Sequence, residues 1–255
     1  MENIFIAVAA HKRYWMPKEQ AYKPIQVGAK GKKSFGWLRD DSGENISEKN
    51  PTFCELTAIY WAWKNVDADI YGLVHYRRYF SNGNLMIAKK KRILKTKQIA
   101  EKMLDVNVML PKKRHYWIET NESQYIHAHH EADLITTKKV LSELCPKIEG
   151  SWDRVMNRSS GHRFNMFIMR KDTFQAYCKW LFPILEEVEK RLDISTYSTN
   201  DQRVFGFIAE RLMDVWLDCS NIPYLENSIV NLENQKWGHK IISFLQCKHN
   251  GEKKK

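Results

Sequence analysis

Two short apolar runs, each ending in a histidine, constrain the fold of this chain more than any other feature. Residues 4–10 read IFIAVAA and lead into His11, and residues 70–74 read IYGLV and lead into His75. A continuous apolar run of strand length is the pattern of a strand buried on both faces, which is typical of parallel sheets covered by helices. In open sheets of that kind ligands bind outside the carboxyl ends of the strands. Both histidines are therefore expected at a ligand-binding edge.

The remaining periodicity fits the same architecture. Residues 52–64 (TFCELTAIYWAWK) predict a helix, with Phe53, Leu56, Ile59, Tyr60 and Trp63 at helical spacing and Thr52 with Glu55 as a capping box. Residues 106–110 form a third strand-like run before Pro111. Helical periodicity returns over 132–144, 172–192 and 201–217, and the apolar run RFNMFIMR at 163–170 lies among these helices. Strands mixed with long helices predict an α/β fold with a mostly parallel central sheet flanked by helices. A length of 255 residues suits a single domain, expected over residues 1–247, with the basic stretch 248–255 as a disordered tail.

Composition narrows the partners. The net charge of +11 biases the chain towards polyanions, meaning nucleic acid, anionic lipid headgroups or phosphorylated small molecules. Part of it is local, around Lys89, Lys90, Lys91 and Arg92, around Lys112, Lys113 and Arg114, and in Lys253, Lys254 and Lys255. Cys54, Cys145, Cys178, Cys219 and Cys247 are widely spaced, so neither a zinc knuckle nor a disulfide framework is indicated and a reducing compartment fits best. The opening residues read as a first strand rather than a leader. No apolar stretch reaches the roughly 20 residues of a membrane span, so membrane contact is expected to be peripheral.

Several constellations carry chemistry. His75, Arg77 and Arg78 follow the second strand, where guanidinium groups suit a diphosphate, although a basic turn among packed aromatics reads the same way. His11 occupies the matching place on the first strand. Gly28 lies in a glycine-rich loop, and Asp40, Asp41, Glu44 and Asn45 form a carboxylate-rich loop suited to a divalent cation or to an exposed turn. The segment 125–133 gathers His127, His129, His130, Glu131 and Asp133, and reads as an active-site wall, a satisfied helix start or a metal site. Glu131 or Asp133 is a candidate general base towards a hydroxyl. Asn165 is the polar residue in the 163–170 run. Arg203 and Glu210 share a helical face with Arg211 beside them, and Glu210 either orients an arginine or solvates the surface. No phosphate-binding Gly-x-x-x-x-Gly-Lys loop and no Gly-x-Gly-x-x-Gly occurs.

Six blocks then carry a resemblance: IQVGA at 25–29, LRDDSGENIS at 38–47, KNPTFCELTAIYWAWKN at 49–65, GLVHYRRYF at 72–80, residues 164–193, and RVFGFIAERLMDVWL at 203–217. The chain resembles the bacterial capsular and exopolysaccharide family that carries the CELT-YWAWKN and HYRRYF signatures, some of whose members are similar to galactofuranosyltransferases. The resemblance implies a glycosyltransferase of GT-A-like fold with a UDP-sugar donor, and the reaction expected from it is transfer of a hexosyl group, galactofuranosyl or galactosyl, to a lipid-linked oligosaccharide in capsule, exopolysaccharide or O-antigen synthesis. Taken with the positions above, His11, Gly28, Asp40, Asp41, Asn45, His75, Arg77 and Arg78 are expected at the donor, and Asn165, Arg203, Glu210 and Arg211 at or supporting the acceptor.

Where many GT-A enzymes place a metal-holding Asp-x-Asp, this chain carries His75-Tyr76-Arg77, so no metal is expected to be required, with Mn²⁺ or Mg²⁺ as the alternative. Asp67-Ala68-Asp69 spells the motif but precedes its strand. The expected location is cytoplasmic, at the inner face of the cell membrane, on anionic lipid. The rivals are a UDP-sugar or polysaccharide-binding protein without catalysis, and a nucleic-acid binding module. The last is disfavoured because Trp61, Trp63 and Trp180 fall in helical patterns as core, and no nucleic-acid partner is expected.

Overall fold

The computed structural model describes residues 2–233. Cys247 and the basic segment 248–255 lie outside the described residues. The first run forms β1 (Ile4–Ala10), followed by β2 (Tyr22–Gln26) and β3 (Leu38–Arg39). Two helices, α1 (Asn50–Phe53) and α2 (Leu56–Asn65), lead to β4 (Ile70–His75) and the short β5 (Arg78–Phe80). Then come α3 (Thr96–Lys102), β6 (Val108–Pro111), β7 (Arg114–His115), α4 (Asn121–Ala128), α5 (Glu131–Leu144) and α6 (Glu149–Met156). The chain continues through β8 (Ser160–Gly161), β9 (Phe167–Arg170), α7 (Lys171–Arg191), α8 (Val204–Ser220), β10 (Tyr224–Asn227) and β11 (Ile229–Asn231).

The main sheet has the order β10-β6-β9-β4-β1-β2-β3. Along this path only β9 runs against its neighbours, antiparallel to both β4 and β6, while the β10–β6, β4–β1, β1–β2 and β2–β3 pairs are parallel. The carboxyl ends of β1, β4, β6 and β10 therefore open on one edge. β5 turns back from β4 and pairs with β11.

Strand β1 shows why its run is apolar throughout. Alternate side chains point to opposite faces of a strand, and here Phe5, Ala7 and Ala9 join the core beneath α2, α7 and α8. Ile4, Ile6, Val8 and Ala10 join a second core with Tyr79, Phe80, Ile99 and Met103. Trp61 is buried in the helical core, and Trp63 and Trp180 are half-buried against it.

Two elements depart from the sequence reading. The helix expected over 52–64 is two helices, because Cys54 adopts φ 53° and breaks the path between them. Thr52 makes no capping box; its hydroxyl donates to the Lys49 carbonyl at 3.1 Å, and Pro51 sits in the first turn of α1. The run at 163–170 forms a strand only from Phe167, since Phe164 and Asn165 take φ values of 80° and 52°. The helices over 132–144 and 172–192 start and stop within a residue of expectation, and that over 201–217 opens with a 3₁₀ turn at Asp201–Arg203 before α8.

Candidate active site

A cleft of about 490 Å³ opens at the carboxyl ends of β1 and β4. β1 delivers His11, β4 delivers His75, and the β4–β5 turn adds Tyr76, Arg77 and Arg78. The opposite wall comes from the α1–α2 break, with Asn50, Cys54 and Glu55, and from Arg203, Phe207 and Glu210 around the start of α8. Six residues singled out in the sequence thus meet around one cavity: His11, His75, Arg77, Arg78, Arg203 and Glu210.

The strained turn at Phe164-Asn165 organises this space. Positive φ values at two successive non-glycine residues cost energy and persist only where surrounding contacts hold them. The Phe164 carbonyl accepts from His75 Nε2 at 2.6 Å, so that ring nitrogen carries hydrogen. The Phe164 amide donates to Glu210 Oε1 at 2.7 Å, and the Arg78 guanidinium lies 3.7 Å over the Phe164 ring. Buried Asn165 donates from Nδ2 to Glu55 Oε1 at 2.8 Å and to the Gly206 carbonyl at 3.0 Å. One turn therefore positions a histidine, an arginine and two carboxylates.

The cleft is electropositive. Burial pushes the His11 imidazole below its usual range, and Lys12, Arg77, Arg203 and Lys32 push it further the same way. Burial likewise lowers Arg78, followed by its neighbour Arg77. Cations brought this close without compensation are costly unless an anion joins them. Arg77 pairs with Glu233 at 3.3 Å, Arg78 Nε donates to Asn231 at 3.0 Å, and Arg203 Nε donates to Cys54 Sγ at 3.2 Å. The terminal nitrogens of Arg78 and Arg203 make no hydrogen bond among the described residues. Burial raises the Cys54 thiol to about 11, so near neutrality it stays protonated and serves as wall.

The two cleft carboxylates differ in availability. Glu210 accepts from Phe164 on one oxygen and from Arg211 Nη1, at 3.0 Å, on the other. Glu55 is held through Oε1, which also lies 4.0 Å from His75 Nε2, while its Oε2 takes no hydrogen bond among the described residues. Sequence reasoning missed Glu55 because the capping-box pattern offered it a structural role. It also missed Asn50, Phe164 and Phe207: all three fall inside the blocks at 49–65, 164–193 and 203–217, but none has a spacing that assigns it a role.

The other singled-out residues lie elsewhere. Asp40 is fully buried and accepts from the Gly28 and Ala29 amides at 2.8 and 3.0 Å and from the Ser47 and Thr57 hydroxyls at 2.5 and 2.6 Å. Asp41 is paired with Arg39 at 2.6 Å, which holds its carboxyl below the usual range. Asn45 closes its own turn. Both aspartates of this loop are therefore spent on structure rather than left open to a divalent cation. Gly28, at φ 56°, has no room for a Cβ, which would meet the Asn50 side chain at 2.5 Å. It lets the loop pack behind the cleft wall.

Asp133 is buried between the hydroxyls of Tyr125 and Tyr197, each at 2.8 Å, and does not line the cleft. Glu131 is exposed at the start of α5. His127 pairs with Glu119, and His129 and His130 both face Asp201. Among the described residues no group of three or more histidine, cysteine, aspartate or glutamate side chains is arranged to hold a metal ion. Arg211 is buried behind the cleft, donating to Glu210 and Gln124. Asp67 and Asp69 sit before β4, on the opposite sheet edge, bonded to Lys171 and to the Asn3 amide. Among the described residues no helix is long and apolar enough to cross a membrane.

Comparison with known proteins bears on the fold and the family. No curated protein matches the chain. A solved structure described as the apo form of WbbM, a bifunctional glycosyltransferase, superposes with a TM-score of 0.86 at 29% identity. The match covers 91% of this chain and 46% of WbbM, so the chain spans about half the length of that neighbour. The cleft-lining residues, Ala9 to Glu210, all lie within residues 5–221, which match the family described as Domain of unknown function (DUF4422), and the chain belongs to that family.

Proposed function

We propose that this chain is a glycosyltransferase that moves a hexosyl group, galactofuranosyl or galactosyl, from a UDP-sugar to a hydroxyl of a lipid-linked oligosaccharide. The setting is capsule, exopolysaccharide or O-antigen synthesis at the cytoplasmic face of the membrane. The observation that carries this reading is the cleft itself, where His11, Arg77, Arg78 and Arg203 face Glu55 and Glu210. The likeness to part of WbbM adds support.

In this reading the arginines and His11 hold the donor diphosphate. Preorganised cations in a partly buried site stabilise the charge that develops on the departing UDP. The reading needs no metal, and the bonding of Asp40 and Asp41 within the protein supports it. Glu55 is the general base: Asn165 fixes one oxygen, and the other is open to the acceptor hydroxyl. The hydroxyl proton passes to Glu55 Oε2 as its oxygen bonds the anomeric carbon, and the bond to UDP breaks with its electron pair leaving on the diphosphate. A single displacement of this kind inverts the anomeric centre.

The test is UDP binding by calorimetry on metal-stripped protein, with and without Mn²⁺, with AMP and single-stranded DNA as comparisons. Selective UDP binding without metal is expected, followed by turnover in a donor screen. Binding only with Mn²⁺ would overturn the metal-free reading. UDP binding with no turnover on any donor and acceptor pair would favour a sugar-nucleotide binding protein, and preference for DNA would overturn the assignment altogether.

A further inference from the structure

Two loops on the cleft's edge of the sheet expose apolar side chains that a solvated loop has no use for. Leu85 and Met86 are 75% and 94% exposed at the tip of the loop over residues 82–92, and Trp117 and Ile118 are 88% and 73% exposed at the tip of the loop over 112–118. Neither loop is loosely built. Arg92 donates to the Ile87 and Leu85 carbonyls at 2.7 and 2.6 Å, the Asn82 amide donates to the Arg92 carbonyl at 2.7 Å, and the Met86 amide to Asn84 at 2.9 Å. In the second loop the Tyr116 amide donates to the Ser159 carbonyl at 2.8 Å, and Trp117 turns outward at φ 63°.

The loops share a root. Asn227, at the carboxyl end of β10, accepts from the Lys112 amide at 3.2 Å and donates from Nδ2 to the Ser81 carbonyl at 2.9 Å. Each tip is five residues from that root, so each lies within about 18 Å of it. Residues 81–92 and 111–118 contain no acidic residue and carry Lys90, Lys91, Arg92, Lys112, Lys113 and Arg114. Lys90 also lies 4.6 Å over Trp15, which ties the first loop to the chain leaving β1.

We propose that these two tips form a docking surface for an anionic phospholipid bilayer, with Leu85, Met86, Trp117 and Ile118 entering the interface. Apolar side chains and tryptophan flanked by lysine and arginine suit the boundary between headgroups and acyl chains. Two protruding tips fit a deformable plane better than a groove-shaped partner. The placement deepens the proposed function, and rests on it for the acceptor alone: a lipid-linked saccharide would be presented at the edge where the cleft opens.

The test is flotation of the full chain with vesicles of phosphatidylcholine, alone or with an equal share of phosphatidylglycerol. Binding to the anionic vesicles only, weakened by salt, is expected. The pairs Leu85→Ser with Met86→Ser, and Trp117→Ser with Ile118→Ser, should each lower vesicle affinity roughly tenfold, with thermal unfolding and UDP binding in solution unchanged. Lys91→Glu with Arg114→Glu should abolish the preference for phosphatidylglycerol. Wild-type protein that stays unbound, or apolar variants that bind equally well, would overturn the proposal. So would a loss of self-association in those variants without loss of vesicle binding, which would make the patch a contact between copies. Binding of DNA with no vesicle binding would reassign the basic loops to nucleic acid. Because UDP binding is read separately in solution, failure here leaves the glycosyltransferase reading untouched, and the reverse holds equally.

Discussion

Asp133 and Glu55 are both largely buried carboxylates beside histidines, yet they sit in opposite chemical situations. Each oxygen of Asp133 accepts a tyrosine hydroxyl, and burial still raises its pKa above the ordinary range. Glu55 has one oxygen pinned by Asn165 and one open, at the mouth of a cationic cleft. A general base needs a lone pair within hydrogen-bond reach of the proton it takes. The difference between the two carboxylates is an unspent acceptor, not residue type or burial.

The sharpest way to break that comparison is Glu55→Gln. It keeps the shape and an acceptor for Asn165 but removes the basic oxygen, so turnover should fall about 100-fold to 10,000-fold while UDP affinity stays near wild type. Steady-state kinetics beside UDP calorimetry decide it, and full turnover would return the search for the base to Glu210.

Next in size is Arg78→Ala. The guanidinium that stacks on Phe164 leaves two terminal nitrogens for the donor. Charge-assisted hydrogen bonds contribute about 1.5–3 kcal/mol, so UDP affinity should weaken roughly 10-fold to 100-fold. Arg78→Lys should recover part of it, because a point charge remains but the planar fork does not. An unaltered affinity would remove Arg78 from the diphosphate site.

How much of this was legible in the sequence follows the same division. The apolar runs and their terminal His11 and His75 announced both the sheet and the edge where the cleft opens, because burial on two faces leaves no room for polar residues until the strand ends. Asp40 and Asp41 read as a cation site or an exposed turn, and the fold spends them on the Gly28 and Ala29 amides and on Arg39, since hydrogen bonds across loops leave no local pattern. Glu55 stayed hidden because the break at Cys54 is a backbone event: with φ at 53°, what reads as one helix becomes two, and the residue after the break turns into the cleft. The Phe164-Asn165 turn was masked likewise, for an apolar run does not reveal a reversal of φ held by contacts some 40 to 110 residues away in sequence.

For the other side of the comparison, Asp133→Asn should leave turnover and UDP affinity near wild type and act on stability. One tyrosine loses its acceptor, at about 1–3 kcal/mol, which for a chain of this size lowers Tm by roughly 2–10 °C. A loss of turnover larger than any loss of stability would instead place Asp133 in the chemistry.

The smallest effect separates the two regions by their histidines. His11 and His129 are both lowered chiefly by burial, but His11 is lowered next by Lys12, Arg77 and Arg203, whereas Asp201 pulls His129 back upward. Both folded values lie below the unfolded one, so the unfolded chain binds more protons, and this part of the stability falls as pH drops through about 6.5. A bound diphosphate would offset the cations around His11 and raise its pKa, while His129 has no such partner. UDP binding just below pH 6.5 should therefore take up a fraction of a proton, seen as a binding enthalpy that depends on the buffer's ionisation heat. His11→Asn should abolish that uptake and His129→Asn should preserve it. If uptake survives His11→Asn, the anion does not sit against His11, and the cationic wall must bind it from the Arg203 side.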